Sequence, residues 1–123
     1  MKTKRLLIVE DDPAISQMLS KILGLDGYDT TVVAQGHRAL GVLRGAAFDA
    51  VILDVMLPGT DGIQILRGIR SDPATSALPV IMLTARTDDA TTWAGWQAGC
   101  DYFISKPFDP DELVSTLQRI RSA

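Results

Sequence analysis

The chain has 123 residues, of which 46% are hydrophobic and 22% charged; this is the make-up of one globular domain with a substantial core, and it excludes intrinsic disorder. No apolar run approaches the roughly 20 residues of a membrane-spanning helix, and residues 1–5, three of them basic, lead into only four apolar residues before Glu10, too few for a secretory signal. A net charge of −3 speaks against a nucleic-acid-binding surface, and the single cysteine, Cys100, excludes an internal disulfide and suits a reducing cytoplasm.

In chain order, the apolar run Leu6-Leu7-Ile8-Val9 predicts a first strand, ended abruptly by Glu10-Asp11-Asp12. Asp12 then suits an N-cap and Pro13 the first helical position. Ile15, Met18, Leu19, Ile22 and Leu23 follow at the spacing of one apolar helical face, closed by Gly24 and Gly27. The β-branched stretch 28–33 predicts a second strand, and 35–46 a second helix with Ala39, Leu40 and Leu43 inward. That helix is weakened by Gly36 and Gly41. Residues 48–54 form the central strand, followed by a Pro58-Gly59 turn. Asp61-Gly62 opens a helix carrying Ile63, Leu66 and Ile69, stopped by Ser71-Asp72-Pro73. Residues 79–84 predict a fourth strand, 88–98 a helix closed by Gly99, and 102–105 a short fifth strand. In the last helix Asp109 is the cap, Pro110 stands at N1 and Glu112 at N3, with Phe108 and Leu113 placed as a hydrophobic staple. Its buried face is Leu113, Val114, Leu117 and Ile120.

Five strands thus alternate with five helices, with no linker or repeat, so residues 1–123 are expected to form a single α/β domain. Near-continuous apolar strands imply burial on both faces. A doubly wound parallel sheet covered by helices on each side provides it.

Four strands end in side chains that can do chemistry: Glu10-Asp11-Asp12, Asp54, Thr84 and Lys106. In a parallel sheet those ends share one edge, the edge at which open α/β sheets bind ligands. Clustered carboxylates repel one another and call for a cation among them. The donors are all hard oxygens, with no histidine or cysteine, which favours Mg²⁺ over zinc. A carboxylate nucleophile, Mg²⁺, a lysine and a hydroxyl donor suit phosphoryl transfer onto Asp54. Lys106 and the metal would neutralise the transferring group, and Thr84 would hydrogen-bond one of its oxygens.

Glu10-Asp11-Asp12, Asp54, the Leu57-Pro58-Gly59-Thr60-Asp61-Gly62 turn, Thr84-Ala85 and Lys106-Pro107-Phe108 together resemble the receiver domain of bacterial two-component response regulators. The resemblance covers essentially the whole chain. It implies a flavodoxin-like sheet of order 2-1-3-4-5 and a sensor histidine kinase, or a phosphotransfer protein, as phosphoryl donor to Asp54. It further implies that Asp11, Asp54 and the main-chain carbonyl of Met56 ligate Mg²⁺, with Glu10 acting through water, and that Mn²⁺ can substitute. By the same resemblance Thr84 and Phe103 form the switch, Met56 and Arg86 tune dephosphorylation, and the Lys106–Pro107 peptide bond is cis. The implied output is a rearranged face of the fourth helix, fifth strand and fifth helix, read by a target protein or output domain. The implied location is the cytoplasm, with no membrane or nucleic acid bound by the domain itself.

The chain also departs from the family's pattern. Phe103 has no hydroxyl with which to anchor an outward switch state. Tyr102, Thr116 and Gln118 stand where the charges of one common receiver dimer would lie, which argues against that dimer while leaving another phosphorylation-linked one open. The fourth helix carries Trp93 and Trp96, expected to pack against the sheet; the alternative is that one ring is exposed to anchor a partner. His37 is expected on the surface, and Cys100 is expected to have no reactive role. An aspartate-nucleophile phosphatase would need a second aspartate two residues after the first, where Met56 stands. A nucleotide binder would need a glycine-rich loop where three carboxylates follow the first strand. A receiver that works without phosphorylation is disfavoured by its intact acceptor and metal residues. Whether the domain acts alone or fronts a longer regulator is not written in these residues.

Overall fold

The computed structural model describes residues 4–57, 59–85 and 89–122. Five strands form one parallel sheet: β1 (Arg5–Val9), β2 (Asp29–Val33), β3 (Ala50–Asp54), β4 (Val80–Thr84) and β5 (Tyr102–Ser105). Their spatial order is β2-β1-β3-β4-β5, as the resemblance implied. Every residue of β3 and β4 is buried, while the edge strands β2 and β5 are partly open.

The pleat sends alternate side chains into two separate cores. Leu7, Val9, Val51, Leu53, Val80 and Met82 point to one side, where they meet α2 (Ala39–Gly45) and α3 (Gly62–Ser71) through Leu43, Ile63, Leu66 and Ile69. Leu6, Ile8, Ala50, Ile52, Ile81 and Leu83 point to the other, against α1 (Pro13–Leu25) and α5 (Pro110–Ser122) through Leu19, Leu23, Leu113 and Leu117. Each large apolar side chain so buried contributes about 1.5–3 kcal/mol, and the double covering is what holds a parallel sheet together. The remaining helix, α4 (Asp89–Ala98), rests against the first core through the partly buried Ala94 and Ala98.

Local structure follows the sequence with four differences. Gly24 lies inside α1, and the chain reverses instead at Gly27 (φ 92°), where Tyr28 N–H bonds the Leu23 carbonyl at 3.0 Å. Met18 is 44% exposed, at the margin of the apolar face. The second helix is split: Gly36–Arg38 forms a 3₁₀ turn before α2 begins, with Gly36 pressed against Ile65, Leu57 and Thr60. Between β3 and α3 the expected turn is a small hairpin, Met56–Leu57 pairing antiparallel with Thr60–Asp61; Pro58 lies outside the described residues. Asp12 and Asp109 cap their helices as expected, and Asp61, expected only to open α3 with Gly62, caps it too: the three accept from the amides of Ala14, Asp111 and Ile63, each at 2.9 Å.

Candidate functional site

Strand register brings the expected residues to one edge. Val9 pairs with both Val33 and Leu53, Asp54 with Leu83, and Thr84 with Ser105, so β1, β3, β4 and β5 end side by side. Glu10 leaves β1 with its amide still bonded to the Val33 carbonyl at 3.1 Å, and Lys106 leaves β5 with its amide on the Thr84 carbonyl at 2.7 Å. The Lys106–Pro107 bond is cis.

The side chains converge. Lys106 Nζ donates to Glu10 Oε1 at 2.7 Å and to Asp54 Oδ2 at 3.0 Å, joining the ends of β1, β3 and β5. Asp54 Oδ1 accepts from the Met56 amide at 3.1 Å, and Glu10 Oε2 from the Asp12 amide at 3.2 Å. Both carboxylates are nearly closed off from solvent, at 5% and 2% exposure. Burial pushes the Glu10 carboxyl up from its usual range and Asp54 adds to this, against the opposing hydrogen bonds from Lys106 and the Asp12 amide. For Lys106, burial pulls downward, but its bonds to Glu10 and Asp54 outweigh it and hold the ammonium above the ordinary lysine value.

Glu10, Asp11 and Asp54 each offer a carboxylate oxygen, and the three atoms lie within 4.8 Å of one another. This all-oxygen, anionic donor set fits a hard divalent cation such as Mg²⁺ and lacks the nitrogen or sulfur ligands of zinc. Asp12 is turned away into its capping bond.

Thr84 is fully buried at the end of β4. Phe103 is partly buried, its ring against Gly95 of α4. Met56 stands 55% exposed beside Asp54. Arg86 lies outside the described residues. Trp93 and Trp96 do not pack against the sheet: they are 67% and 47% exposed, because the inner side of α4 is taken by Ala94, Gly95 and Ala98. His37 is exposed, as expected. Cys100 is buried; that burial, with Asp101 alongside, pushes its thiol up to about 11, so little of it is thiolate at neutral pH.

Two features had no clear signal in the sequence. Gly62, expected only to open α3, lies directly over the backbone of Asp54 and Val55: its amide bonds the Val55 carbonyl at 2.8 Å, and a Cβ there would sit 2.2 Å from the Asp54 carbonyl oxygen. The Asp61-Gly62 pair was the only hint of it. The second is a cleft of about 700 Å³ beside the carboxylates, between the hairpin and α4, lined by Asp11, Met56, Leu57, Asp61, Ala90 and Ala94 among others.

Residues 6–118 match the response regulator receiver domain family. The DNA-binding response regulator MtrA of Mycolicibacterium smegmatis is 42% identical over 115 residues, covering 94% of this chain and 49% of that protein. The transcriptional regulatory protein TcrA of Mycobacterium tuberculosis is 39% identical over 116 residues, covering 94% and 45%. The chain therefore spans about half the length of these curated relatives. Among solved structures, a response regulator described as putative from Chloroflexus aurantiacus superposes with a TM-score of 0.94 at 39% identity, over 99% of this chain and 100% of that one. The receiver domain of a Pseudomonas aeruginosa sensor histidine kinase, which holds a magnesium ion in its active-site cleft, superposes with a TM-score of 0.92 at 32% identity, over 99% and 100%.

Proposed function

Because the chain belongs to the response regulator receiver domain family of two-component systems, we propose that its switch is thrown by phosphorylation of Asp54. The observation that carries this is Lys106 bridging Glu10 and Asp54 at 2.7 and 3.0 Å beside the Asp11 carboxylate. The donor is the phosphohistidine of a sensor histidine kinase or phosphotransfer protein. An Asp54 carboxylate oxygen attacks the phosphorus, the phosphorus–nitrogen bond breaks, and the departing imidazole nitrogen keeps the electron pair. Asp11, Asp54 and the Met56 carbonyl would hold Mg²⁺ or Mn²⁺, with Glu10 supporting through water, and the ion would offset charge on the phosphoryl oxygens. Lys106 supplies a fixed positive charge on the other side, and the Thr84 hydroxyl takes a phosphoryl oxygen.

The domain catalyses only its own phosphorylation and dephosphorylation, the latter tuned by Met56 and Arg86. Its output passes from Thr84 and Phe103 to the face of α4, β5 and α5, where the exposed Trp93 and Trp96 offer anchors to a target protein, an output domain or a second copy. A cytoplasmic location goes with this reading, and no helix among the described residues is long and apolar enough to cross a membrane.

The test is intact-mass measurement after incubation with Mg²⁺ and acetyl phosphate, with Asp54→Asn alongside. One phosphoryl group on the parent and none on Asp54→Asn is expected. An adduct that persists in the variant, or none on the parent, overturns the assignment.

A further inference from the structure

The outer side of α4 carries a feature that packing does not require. Asp89, Trp93 and Trp96 stand at i, i+4 and i+7, one above another along a single stripe of the helix, with Thr92 alongside. Together with Ala90 they line an open groove of about 520 Å³. Both rings are exposed, and they are the only tryptophans of the chain. Adjacent indoles facing water mark a binding surface, because tryptophan is the residue type most enriched where binding energy concentrates.

The chemistry of the stripe selects its occupant. A first-turn aspartate alone is ordinary helix chemistry, since it balances the positive end of the helix dipole. One turn from an indole it does more: a cation lying over the ring meets the ring's negative face and the carboxylate together. The helical rise sets Trp93 about 6 Å from Asp89 along the axis and Trp96 about 4.5 Å further on. A guanidinium suits that spacing better than an ammonium, because its plane stacks on an indole while its edge donors still reach a carboxylate. Residues Asp89–Ala98 include no lysine or arginine, so α4 itself brings no cation to the groove.

The surroundings carry the same sign. α4 and α5 both begin at the carboxyl edge of the sheet, which sets the exposed Asp109, Asp111 and Glu112 at the same edge as Asp89. Lys106, also at that edge, is turned inward onto Glu10 and Asp54. At the other end of α4, Asp101 is held by the Arg70 fork: Nη2 donates to Asp101 Oδ2 at 2.9 Å, while Nε and Nη1 reach the Gly99 and Leu78 carbonyls at 2.9 and 2.6 Å. The carboxylate beside the rings is therefore Asp89, in a negative field that draws a basic partner and repels nucleic acid or an anionic membrane.

We propose that this stripe is a binding site for arginine. A partner protein lays a basic segment along α4, with an arginine side chain over the Trp93 and Trp96 faces and its guanidinium paired to Asp89. The site rests on the reading of this face as a partner surface and gives that partner its chemistry; it does not require Asp54 to be phosphorylated.

Since both tryptophans lie in the site, emission of the full, unphosphorylated chain reports on it directly. An alanine-based peptide bearing several arginines should change that emission saturably. The same peptide with lysines should bind several-fold more weakly, and leucine or glutamate versions should leave the emission unchanged. Trp93→Ala, followed through Trp96, should weaken the arginine peptide by about tenfold or more. Asp89→Asn should weaken it several-fold, whereas Asp26→Asn, which removes the same charge from the exposed turn after α1, should not. A leucine peptide that binds as well as the arginine one overturns the site, as does an Asp26→Asn effect equal to that of Asp89→Asn, or the lack of any saturable change. A dimer in sedimentation that Trp93→Ala dissolves also overturns it, because a second copy then covers the groove. The peptide series needs no variant, so a poorly folding Trp93→Ala does not decide the matter. No phosphoryl donor is present, so failure of Asp54 to take a phosphoryl group leaves the peptide result standing, and failure of the peptide leaves the phosphoacceptor untouched.

Discussion

Lys106 is the residue on which the site's charge balance turns. It is 16% exposed at the side chain and bonded to two buried carboxylates, so removing it leaves Glu10 and Asp54 facing each other without a cation. As the fixed positive charge opposite the metal carboxylates, it should matter more to the transferring phosphoryl group than to the fold. Lys106→Met is therefore expected to slow labelling by acetyl phosphate by about 10²-fold or more, followed by intact mass over time. A labelling rate within a few-fold of the parent would show that Lys106 is only a structural partner of Glu10. Asp11 and Asp12 separate by the same kind of reasoning. Asp11 shares the three-carboxylate cluster, whereas Asp12 spends its side chain on the Ala14 amide. Asp11→Ala should abolish Mg²⁺ binding measured by calorimetry. Asp12→Ala should leave Mg²⁺ binding intact and cost about 1 kcal/mol in urea unfolding, the usual loss of an N-cap.

Among the elements, the junction of the hairpin with α3 governs the acceptor's placement. The first residue of α3 lies against the backbone of Asp54 and Val55, so a side chain there meets main-chain atoms that cannot rotate away. Gly62→Ala is expected to destabilise the protein by about 1–3 kcal/mol and to slow Asp54 labelling as the Val55–Met56 segment moves. Urea unfolding and labelling rates read the two effects separately. A variant that folds and labels like the parent would mean that the junction has more room than its geometry indicates. The same logic explains the 3₁₀ turn, where Gly36 lets the chain after β2 press against the hairpin from the other side. Both contacts join elements distant in sequence, and both use glycine because backbone must approach side chain or backbone closely.

Over the whole molecule, the site makes the stability of the metal-free protein depend on pH. Glu10 and Lys106 are both shifted upward in the folded state. A group whose folded value is raised contributes most below its unfolded value, and that contribution is lost as pH rises through the folded one. Glu10 should therefore lower the stability of the metal-free protein as pH climbs through and just above the carboxylate range, and Lys106 should do so only in the alkaline range above ordinary lysine titration. Urea denaturation across pH should show the first loss missing in Glu10→Gln and the second in Lys106→Met. Mg²⁺ should act in the opposite sense, stabilising more as Glu10 deprotonates, because the cation competes with protons for these oxygens. Equal pH profiles for parent and Glu10→Gln would contradict the upward shift.

The alternation of apolar runs and capped helices was enough, in the sequence alone, to determine a doubly wound parallel sheet. From that, the gathering of Glu10, Asp11, Asp54, Thr84 and Lys106 follows, since parallel strands with right-handed crossovers leave all their C-terminal ends on one edge. Asp12 and Asp109 were likewise legible as caps, because capping is decided within a few residues of chain. Contacts between remote elements were decided only in three dimensions. The Arg70 fork, the Gly62 and Gly95 approaches and the cleft beside the carboxylates depend on distances that no local pattern records. The exposure of Trp93 and Trp96 belongs with them. The described part of α4 is built of Ala, Thr, Gly, Gln and Trp with one Asp, and has no clear apolar stripe. Which side of it faces the sheet was set by the small residues that fit over Phe103, not by the large ones that seemed to need burial.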